Sequence, residues 1–161
     1  MKATTLLKHD HAQVRRLFAQ IGRTDRTRVA RRRALLDQLV TTLDVHAKTE
    51  EELFYPVIAP LAPRAVDEGE DEHAEIRSLI AEVQGCAADS PELDRALASL
   101  RDQVEHHVAE EERDLFAAAA RLGHEHLMWL GREMEERKRQ LLESPMQKAL
   151  RGMKKLARKV A

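Results

Sequence analysis

Two pairs of histidine and glutamate, each spaced four residues apart, are the residues of this sequence best suited to shared chemistry. They are His46 with Glu50 and His107 with Glu111. On an α-helix such residues lie on one face, about 6 Å apart along the axis, so an imidazole and a carboxylate can reach the same point. These groups are common ligands of borderline metals such as iron, manganese and zinc. Each pair therefore predicts part of a metal site.

Both pairs interrupt an apolar seam at positions where leucine would be expected. The seam around the first pair has steps of three and four residues, as expected for the buried face of a helix, and consists of Leu36, Leu39, Leu43, Leu53 and Val57. Two further histidines, His11 and His73, lie in phase with apolar residues of their own segments. The polar residues predicted to face the core are His11, His46, Glu50, His73, His107 and Glu111.

Burial of these side chains without a cation would be costly. One unpaired buried carboxylate costs several kcal/mol, and two beside four imidazoles would cost more than a domain of this size can comfortably lose. A bound metal removes this cost, and six side chains exceed what one tetrahedral zinc ion needs. A dinuclear centre in which one or both carboxylates bridge the ions fits the number of ligands better.

The segments that carry these residues are related by an internal repeat. The segment that begins at His11 resembles the one that begins at His73, and the segment that begins at His46 resembles the one that begins at His107. Apolar residues recur at helical spacing almost throughout, which predicts an all-α protein. Two similar helical hairpins predict an up-down-up-down four-helix bundle with pseudo-twofold symmetry, in which the repeated polar residues meet at the centre.

A change of pattern near Gly123 separates the predicted bundle from a C-terminal helical extension. We assign residues 1–121 to the bundle and residues 122–161 to the extension, with one helix from about residue 125 to residue 143 and a last helix that follows Ser144-Pro145. The last segment carries six Lys or Arg and no acid. It is predicted either to dock on the acidic bundle or to contact an acidic partner, an anionic membrane surface or nucleic acid.

Composition excludes several other classes of protein. The 161 residues of the chain fit one domain of ordinary size, and no apolar run is long enough to span a bilayer. The N-terminus lacks a secretory signal and Cys86 is the single cysteine, so a cytoplasmic location is expected. A formal net charge of -1 argues against a general nucleic-acid binder, and no specific nucleic-acid partner is predicted. The sequence does not predict the oligomeric state.

Four separated motifs resemble those of the hemerythrin-like proteins, also called HHE cation-binding domains. They are Asp10-His11, HAKTEEELFYP at residues 46–56, Glu72-His73, and HVAEEERDLF at residues 107–116. The resemblance covers roughly residues 1–121. It implies a four-helix bundle with two iron ions joined by an oxo or hydroxo bridge, which react with dioxygen, peroxide or nitric oxide. It also implies that the ligands are His11, His46, Glu50, His73, His107 and Glu111.

The sequence departs from the oxygen-carrying hemerythrins at two positions. Arg77 stands where those proteins have a second histidine on the third helix, and Glu111 precedes by one residue the position of their aspartate on the fourth. A centre with more carboxylates favours redox chemistry over reversible oxygen carriage. The length also resembles that of small actinobacterial hemerythrin-like proteins, which implies catalase-like disproportionation of peroxide. The alternative is a dioxygen, nitric oxide or iron sensor, or an iron store, without turnover.

Several other polar residues lie near the predicted ligands in sequence but are not predicted to bind metal. His106 has Glu110 four residues later but lies in phase with the polar face, so His107 is preferred as a ligand. Glu51 and Glu112 turn about 100° away from the predicted ligands, which predicts a role at the surface or behind the ligands. Tyr55 is expected either to pack at the bundle end or to donate a proton or electron, and no catalytic residue beyond the metal centre is predicted. Three histidines are left out of the site: His9, His124 and His126.

Overall fold

The structure is a computed structural model that describes residues 1–143 of the chain. Helices account for nearly all of this part, which contains no β-strand and confirms the prediction of an all-α protein. The elements in chain order are α1 (Ala3–Arg23), α2 (Val29–Thr49), π1 (Glu50–Phe54), α3 (Tyr55–Ile58), α4 (Pro63–Gly85), α5 (Pro91–Glu110), π2 (Glu111–Leu115), α6 (Phe116–Ala120) and α7 (His124–Glu143).

Four continuous helical rods form the predicted bundle. The first is α1, the second consists of α2, π1 and α3, the third is α4, and the fourth consists of α5, π2 and α6. The first rod packs along the second and the third along the fourth, as expected for two antiparallel hairpins joined by short loops. The four-helix bundle and the additional helix after it are therefore confirmed.

Local sequence signals account for most of the turns. Ser90 caps α5, because its hydroxyl oxygen accepts a hydrogen bond from the backbone N–H of Leu93 at 3.2 Å, and Pro91 follows at the first helical position. The segment between Arg23 and Val29 is not helical. It explains in part why His46 lies farther along its rod from this turn than His11 does.

The second rod continues past Pro56 and ends at Ile58, shortly before Pro60. Proline has no N–H to donate and normally breaks a helix that is already formed. Here Pro56 is the second residue after π1, at whose end the N–H of Tyr55 donates to the carbonyl of Glu50, five residues earlier. The wider turn changes the hydrogen-bond register before the proline and lets the rod continue.

Two apolar clusters fill the bundle, and the predicted ligand residues lie at the level between them. The cluster nearer the loop after α1 includes Leu17, Leu39 and Leu100, and the other includes Leu7 and Phe54. A polar layer between two apolar cores is poorly accessible to water. Side chains in this layer must therefore satisfy their charges and hydrogen bonds with each other or with a ligand.

Helix α7 packs on the outside of the bundle, against α1 and the second rod. Its Leu127, Leu130 and Met134 are buried in the same apolar cluster as Leu7. A side chain at Gly131 would collide with the backbone of the first residues, which explains the glycine at this crossing. A left-handed glycine, Gly123 at φ 82°, forms the turn before the helix.

The observed α7 agrees with the predicted helix of residues 125–143 to within one residue. The predicted last helix, which begins at Ser144-Pro145, lies outside the described residues. The division at residue 121 therefore stays a prediction. Among residues 1–143, no helix combines the length and the apolar character needed to cross a membrane.

Candidate metal centre

All six predicted ligand residues meet in the polar layer of the bundle. Each is at most 5% exposed. Their potential ligand atoms form two groups, and within each group these atoms lie within 4.8 Å of one another. The first group consists of His11, His46, Glu50 and Glu111, and the second of Glu50, His73 and His107. The structure thus brings together residues from all four rods.

Glu50 is the residue that the two groups share. Its Oε1 lies 3.3 Å from Nε2 of His46, whereas its Oε2 lies 3.2 Å from Nε2 of His73. The two oxygens of one carboxylate therefore face different histidines on opposite sides. In the first group, Glu111 Oε2 lies 3.0 Å from Nε2 of His11. This arrangement is suited to a carboxylate that bridges two cations.

A carboxylate from a neighbouring helix contacts the Nδ1 atom of each of the four histidines. The four pairs, with their N···O distances, are His11 with Glu112 (2.9 Å), His46 with Asp10 (3.4 Å), His73 with Glu51 (2.9 Å) and His107 with Glu72 (2.7 Å). A carboxylate at Nδ1 favours the tautomer that carries its proton there and leaves the Nε2 lone pair free. All four histidines are therefore prepared to bind a cation at Nε2.

These four carboxylates occupy equivalent positions in the two halves of the internal repeat. Asp10 and Glu72 directly precede His11 and His73, and each reaches across to the histidine of the next rod. The sequence analysis included both only as parts of family motifs and gave them no role of their own. Their repeated position just before a predicted ligand was the available signal.

Removal of one of these carboxylates should weaken metal binding without removing a ligand. We expect Glu112→Ala to lower metal affinity by about 10- to 100-fold, because His11 loses the partner that fixes its orientation. The measurement is a competition titration against a chelator of known affinity. Asp102→Ala, which removes an exposed carboxylate of α5, is the control and should leave the affinity unchanged. An unaltered affinity in Glu112→Ala would contradict this role.

Several fully buried polar atoms of the centre lack a hydrogen-bond donor. These atoms are His11 Nε2 and both carboxylate oxygens of Glu50 and of Glu111. When His11 carries its proton on Nδ1, its Nε2 and the Glu111 Oε2 that lies 3.0 Å away are both acceptors. Buried polar atoms are nearly always paired, and each orphan costs about 1–3 kcal/mol. All five atoms are of ligand type and point into one space, so a cation would satisfy them together. The residues therefore fit a metal centre.

Burial also shifts the pKa values of the ionisable groups in this layer. Burial, reinforced by the neighbouring Glu111, raises the pKa of Glu50 well above its usual range. Burial lowers the pKa of His73 to about 2, with His107 adding to the effect, and it also lowers the pKa of His46. For His11, burial is outweighed by hydrogen bonds to Glu111 and Glu112, which raise its pKa. Protein groups alone therefore favour neutral His46 and His73 and a protonated Glu50. A cation would restore the carboxylate, because it supplies the missing positive charge.

Both glutamates of the predicted ligand set begin a π-helical turn. Glu50 is the first residue of π1 and Glu111 is the first residue of π2. Such turns are rare and frequently occur at functional sites. The sequence analysis assumed continuous α-helix at both places. The repeat indicated that the two segments were alike, but nothing in the residue types indicated a π turn.

Tyr55 makes the two groups chemically different. Its hydroxyl lies 3.4 Å from Nε2 of His73, and its ring stacks on that imidazole at 5.4 Å. The corresponding residue of the repeat is Phe116, which stacks on His11 and has no hydroxyl. The group with fewer protein ligands is thus the one with a neighbouring hydroxyl. Both expectations for Tyr55 remain compatible with this position, since the ring is also buried.

Lys138 of α7 reaches the centre from outside the bundle. Its ammonium group forms an ion pair with Asp10, whose other carboxylate oxygen faces His46. Burial alone would raise the pKa of Asp10, but His46 and Lys138 outweigh it and lower the pKa. The sequence analysis did not predict a role for Lys138, because its register relative to the bundle depends on how α7 packs.

The histidines that were left out of the site lie elsewhere. His9, His106, His124 and His126 are all exposed. His106 nevertheless belongs to a third group of potential ligands, together with Glu72 and Glu110. This group lies beside the buried centre at the surface.

Buried imidazoles and carboxylates contributed by four helical rods define a cation-binding four-helix bundle. Residues 2–119 match the family model described as the hemerythrin HHE cation binding domain. The chain therefore belongs to the hemerythrin HHE family, and together with the buried groups this assignment points to metal-ion binding.

Similar proteins include one of known structure. The chain is 26% identical to an HHE cation binding domain-containing protein from Mycobacterium kansasii, whose crystal structure matches with a TM-score of 0.80 over 88% of this chain and 87% of that one. It is also 26% identical to the uncharacterized protein Rv2633c of Mycobacterium tuberculosis, over 91% of both chains. A DNA nickase from Nostoc sp. is 28% identical over 73% of this chain, which spans only 33% of that protein.

Proposed function

We propose that this chain binds two iron ions and disproportionates hydrogen peroxide. The proposed ligands are His11, His46, Glu50 and Glu111 for one ion, and Glu50, His73 and His107 for the other. Manganese or zinc could occupy the same ligand set. A cytoplasmic location remains a prediction from the sequence.

The observation that carries this proposal is the shared carboxylate of Glu50. One ion would leave part of the ligand set unused, since the two oxygens of Glu50 face histidines on opposite sides. Two ions would use all six side chains. The second ion would have only three protein ligands, which leaves room for a small molecule beside it.

The space next to the histidines restricts the size of that molecule. A small cavity of about 20 Å³ lies between the four histidines and apolar side chains that include Val14, Leu43 and Ile76. A water molecule needs about 10–15 Å³ on the same measure. Peroxide, dioxygen or nitric oxide is therefore the appropriate size, whereas an organic substrate would require the bundle to open.

The proposed reaction is balanced without any other reactant. Two molecules of hydrogen peroxide give two molecules of water and one of dioxygen, so one peroxide is oxidised by two electrons and the other is reduced by two. Bound iron would supply the reversible two-electron change. The chain holds the imidazoles in one tautomer and excludes bulk water. Burial and the nearby carboxylates raise the pKa of Tyr55, so its hydroxyl stays protonated and can donate a hydrogen bond to a small molecule beside His73.

Replacement of Tyr55 by phenylalanine tests this donor. We expect Tyr55→Phe to retain its metal, because the ring still stacks on His73, and to lower the rate of peroxide consumption by about 10-fold or more. The measurement is the initial rate per bound iron. Phe54→Leu, which changes a neighbouring buried ring without a hydroxyl, is the control for altered packing. An equal rate in Tyr55→Phe would assign Tyr55 to packing alone.

The proposed activity is tested with an oxygen electrode. Protein purified from iron-supplied cells receives hydrogen peroxide, and both peroxide loss and dioxygen release are followed. One dioxygen for every two peroxides, at a rate proportional to bound iron, would support the proposal. Stoichiometric peroxide consumption without dioxygen release would contradict it.

A second candidate function is a sensor, and the contact with α7 favours it. Lys138 links α7 to Asp10, and through Asp10 to His46, so a change at the centre could alter how α7 docks. The test is hydrogen exchange in α7 with and without nitric oxide or dioxygen. Increased exchange that depends on bound iron would favour sensing.

A further inference from the structure

The third group of potential ligands lies on the surface directly outside the buried centre. Nε2 of His106 lies 3.4 Å from a carboxylate oxygen of Glu72 and 3.8 Å from one of Glu110. These residues come from α4 and α5. One imidazole and two carboxylates on two helices can hold a divalent cation of the borderline class while leaving positions for water.

A narrow cleft leads inward from this group. Four carboxylates line the cleft, those of Glu68, Glu72, Glu110 and Asp114, and its buried end is formed by His107 and Glu111. Glu111 is only 2% exposed; its Oε2 faces only the Nε2 of His11 at 3.0 Å, and neither of its oxygens has a hydrogen-bond donor when His11 carries its proton on Nδ1. The cleft therefore has acidic groups at its mouth and an unpaired buried carboxylate at its end.

Glu72 connects the surface group with the buried centre. One of its oxygens faces His106, and the other lies 2.7 Å from Nδ1 of His107. The free space in the cleft is about 10 Å³, close to that of one water molecule. A hydrated ion would thus have to lose most of its water, and the carboxylates along the cleft can replace these ligands.

The corresponding face of the other hairpin lacks this arrangement. In the internal repeat, Val45 and Thr49 occupy the positions of His106 and Glu110. Asp10 occupies the position of Glu72, and there it is neutralised by Lys138 of α7. A positive ammonium group would repel an incoming cation, so of these two faces the one beside α4 and α5 is the better suited to attract one.

We propose that Glu72, His106 and Glu110 form a surface cation site through which Fe²⁺ reaches the buried centre. This inference rests on the proposed iron centre. The surface site captures the hydrated ion, and the cleft carboxylates transfer it to His107 and Glu111. The site is needed for the rate of loading and not for the final iron content.

The test measures how fast the metal-free protein, residues 1–161, takes up Fe²⁺ under anaerobic conditions when Fe²⁺ is the limiting component. Free Fe²⁺ is measured at intervals with a fast colorimetric chelator. The variant is His106→Gln with Glu110→Gln, and the control is His126→Gln with Glu75→Gln, which makes the same changes at exposed positions away from the cleft. Thermal unfolding checks that both fold. We expect the variant to load about 10-fold more slowly, with its final iron content unchanged and the control equal to wild type.

Binding of a third ion provides a second measurement. Zn²⁺ is titrated calorimetrically into protein already loaded with iron. We expect one additional Zn²⁺ in the wild type and the control and none in the variant. If the variant and the wild type load at equal rates or bind equal amounts of Zn²⁺, and both hold two iron ions at the end, the surface site is overturned and the buried centre is not. A wild type that never takes up two iron ions would overturn the proposed centre, and the surface site with it.

Discussion

Replacement of Glu50 by alanine is expected to remove most of the bound metal. Its two oxygens face histidines of both groups, so its loss removes a ligand from each proposed ion at once. We expect metal content to fall from two ions per chain to less than one under conditions that saturate the wild type. The measurement is elemental analysis after removal of loosely bound ions.

Glu52→Ala is the matched control for this variant. Glu52 lies in the same π turn, but it is exposed and pairs with Arg137 of α7. Its loss should leave both ions in place, since exposed ion pairs contribute little to stability. Full metal occupancy in Glu50→Ala would show that Glu50 is not a ligand and would refute the shared-carboxylate arrangement.

Glu50→Gln is expected to stabilise the metal-free protein, although it weakens metal binding. In the metal-free state burial raises the pKa of Glu50 well above its usual range, so folding opposes its ionisation. An amide carries no charge, and its NH2 group can donate to the Nε2 atom of either His46 or His73. We expect the free energy of unfolding to increase by up to about 3 kcal/mol at pH 7.

This difference should depend on pH in a specific direction. The folded state holds the proton of Glu50 more tightly than the unfolded state, so wild-type stability falls as pH rises above the ordinary value of 4.5. The advantage of the variant should therefore grow by about 1.4 kcal/mol per pH unit until Glu50 ionises in the folded protein. Contributions of ionisable groups that do not contact residue 50 are common to both proteins and cancel in the difference.

The measurement is urea denaturation of both proteins in the presence of a strong chelator. Addition of saturating metal should reverse the order. Each of the two proposed ions, bound only by the folded state, adds about 2.7 kcal/mol at 100 times its dissociation constant, and together they outweigh the advantage of the amide. A metal-free Glu50→Gln that is less stable than wild type at pH 7 would contradict the argument that the buried carboxylate is costly.

The sequence predicted the all-α bundle and the meeting of six polar side chains because both depend on helical phase. His46 and Glu50 fall in a leucine seam, and the seam faces the core in any bundle that these helices form. The internal repeat then placed the matching pair, His107 and Glu111, opposite the first. Helical periodicity and a repeat are local properties, so one sequence is enough to recognise them.

The rest depends on how the helices are aligned in space. The carboxylates at the Nδ1 atoms come from other rods, and which acid faces which histidine follows from the relative heights of the rods. Two π turns change these heights, and no residue type in these segments indicates such a turn. The contact of Lys138 with Asp10 depends on the docking of α7, which no repeat indicates.

The two hairpins of the bundle differ at positions that bear directly on the proposed function. Tyr55 corresponds in the repeat to Phe116, which has no hydroxyl. The surface group of Glu72, His106 and Glu110 corresponds to Asp10, Val45 and Thr49 in the first hairpin, where Asp10 is paired with Lys138. A symmetric bundle would hold two equivalent ions. This asymmetric bundle instead places the Tyr55 hydroxyl near one proposed ion, and the proposed entry path for Fe²⁺ lies on the face beside α4 and α5.

Anomalous X-ray diffraction at the iron edge, from crystals of protein loaded with iron, tests the central claim most directly. We expect two anomalous peaks inside the bundle, one on each side of the Glu50 carboxylate, with His11, His46 and Glu111 at one and His73 and His107 at the other. Elemental analysis of the same sample should give two iron ions per chain. A stably folded protein that takes up no iron, or a single peak away from Glu50, would contradict the account.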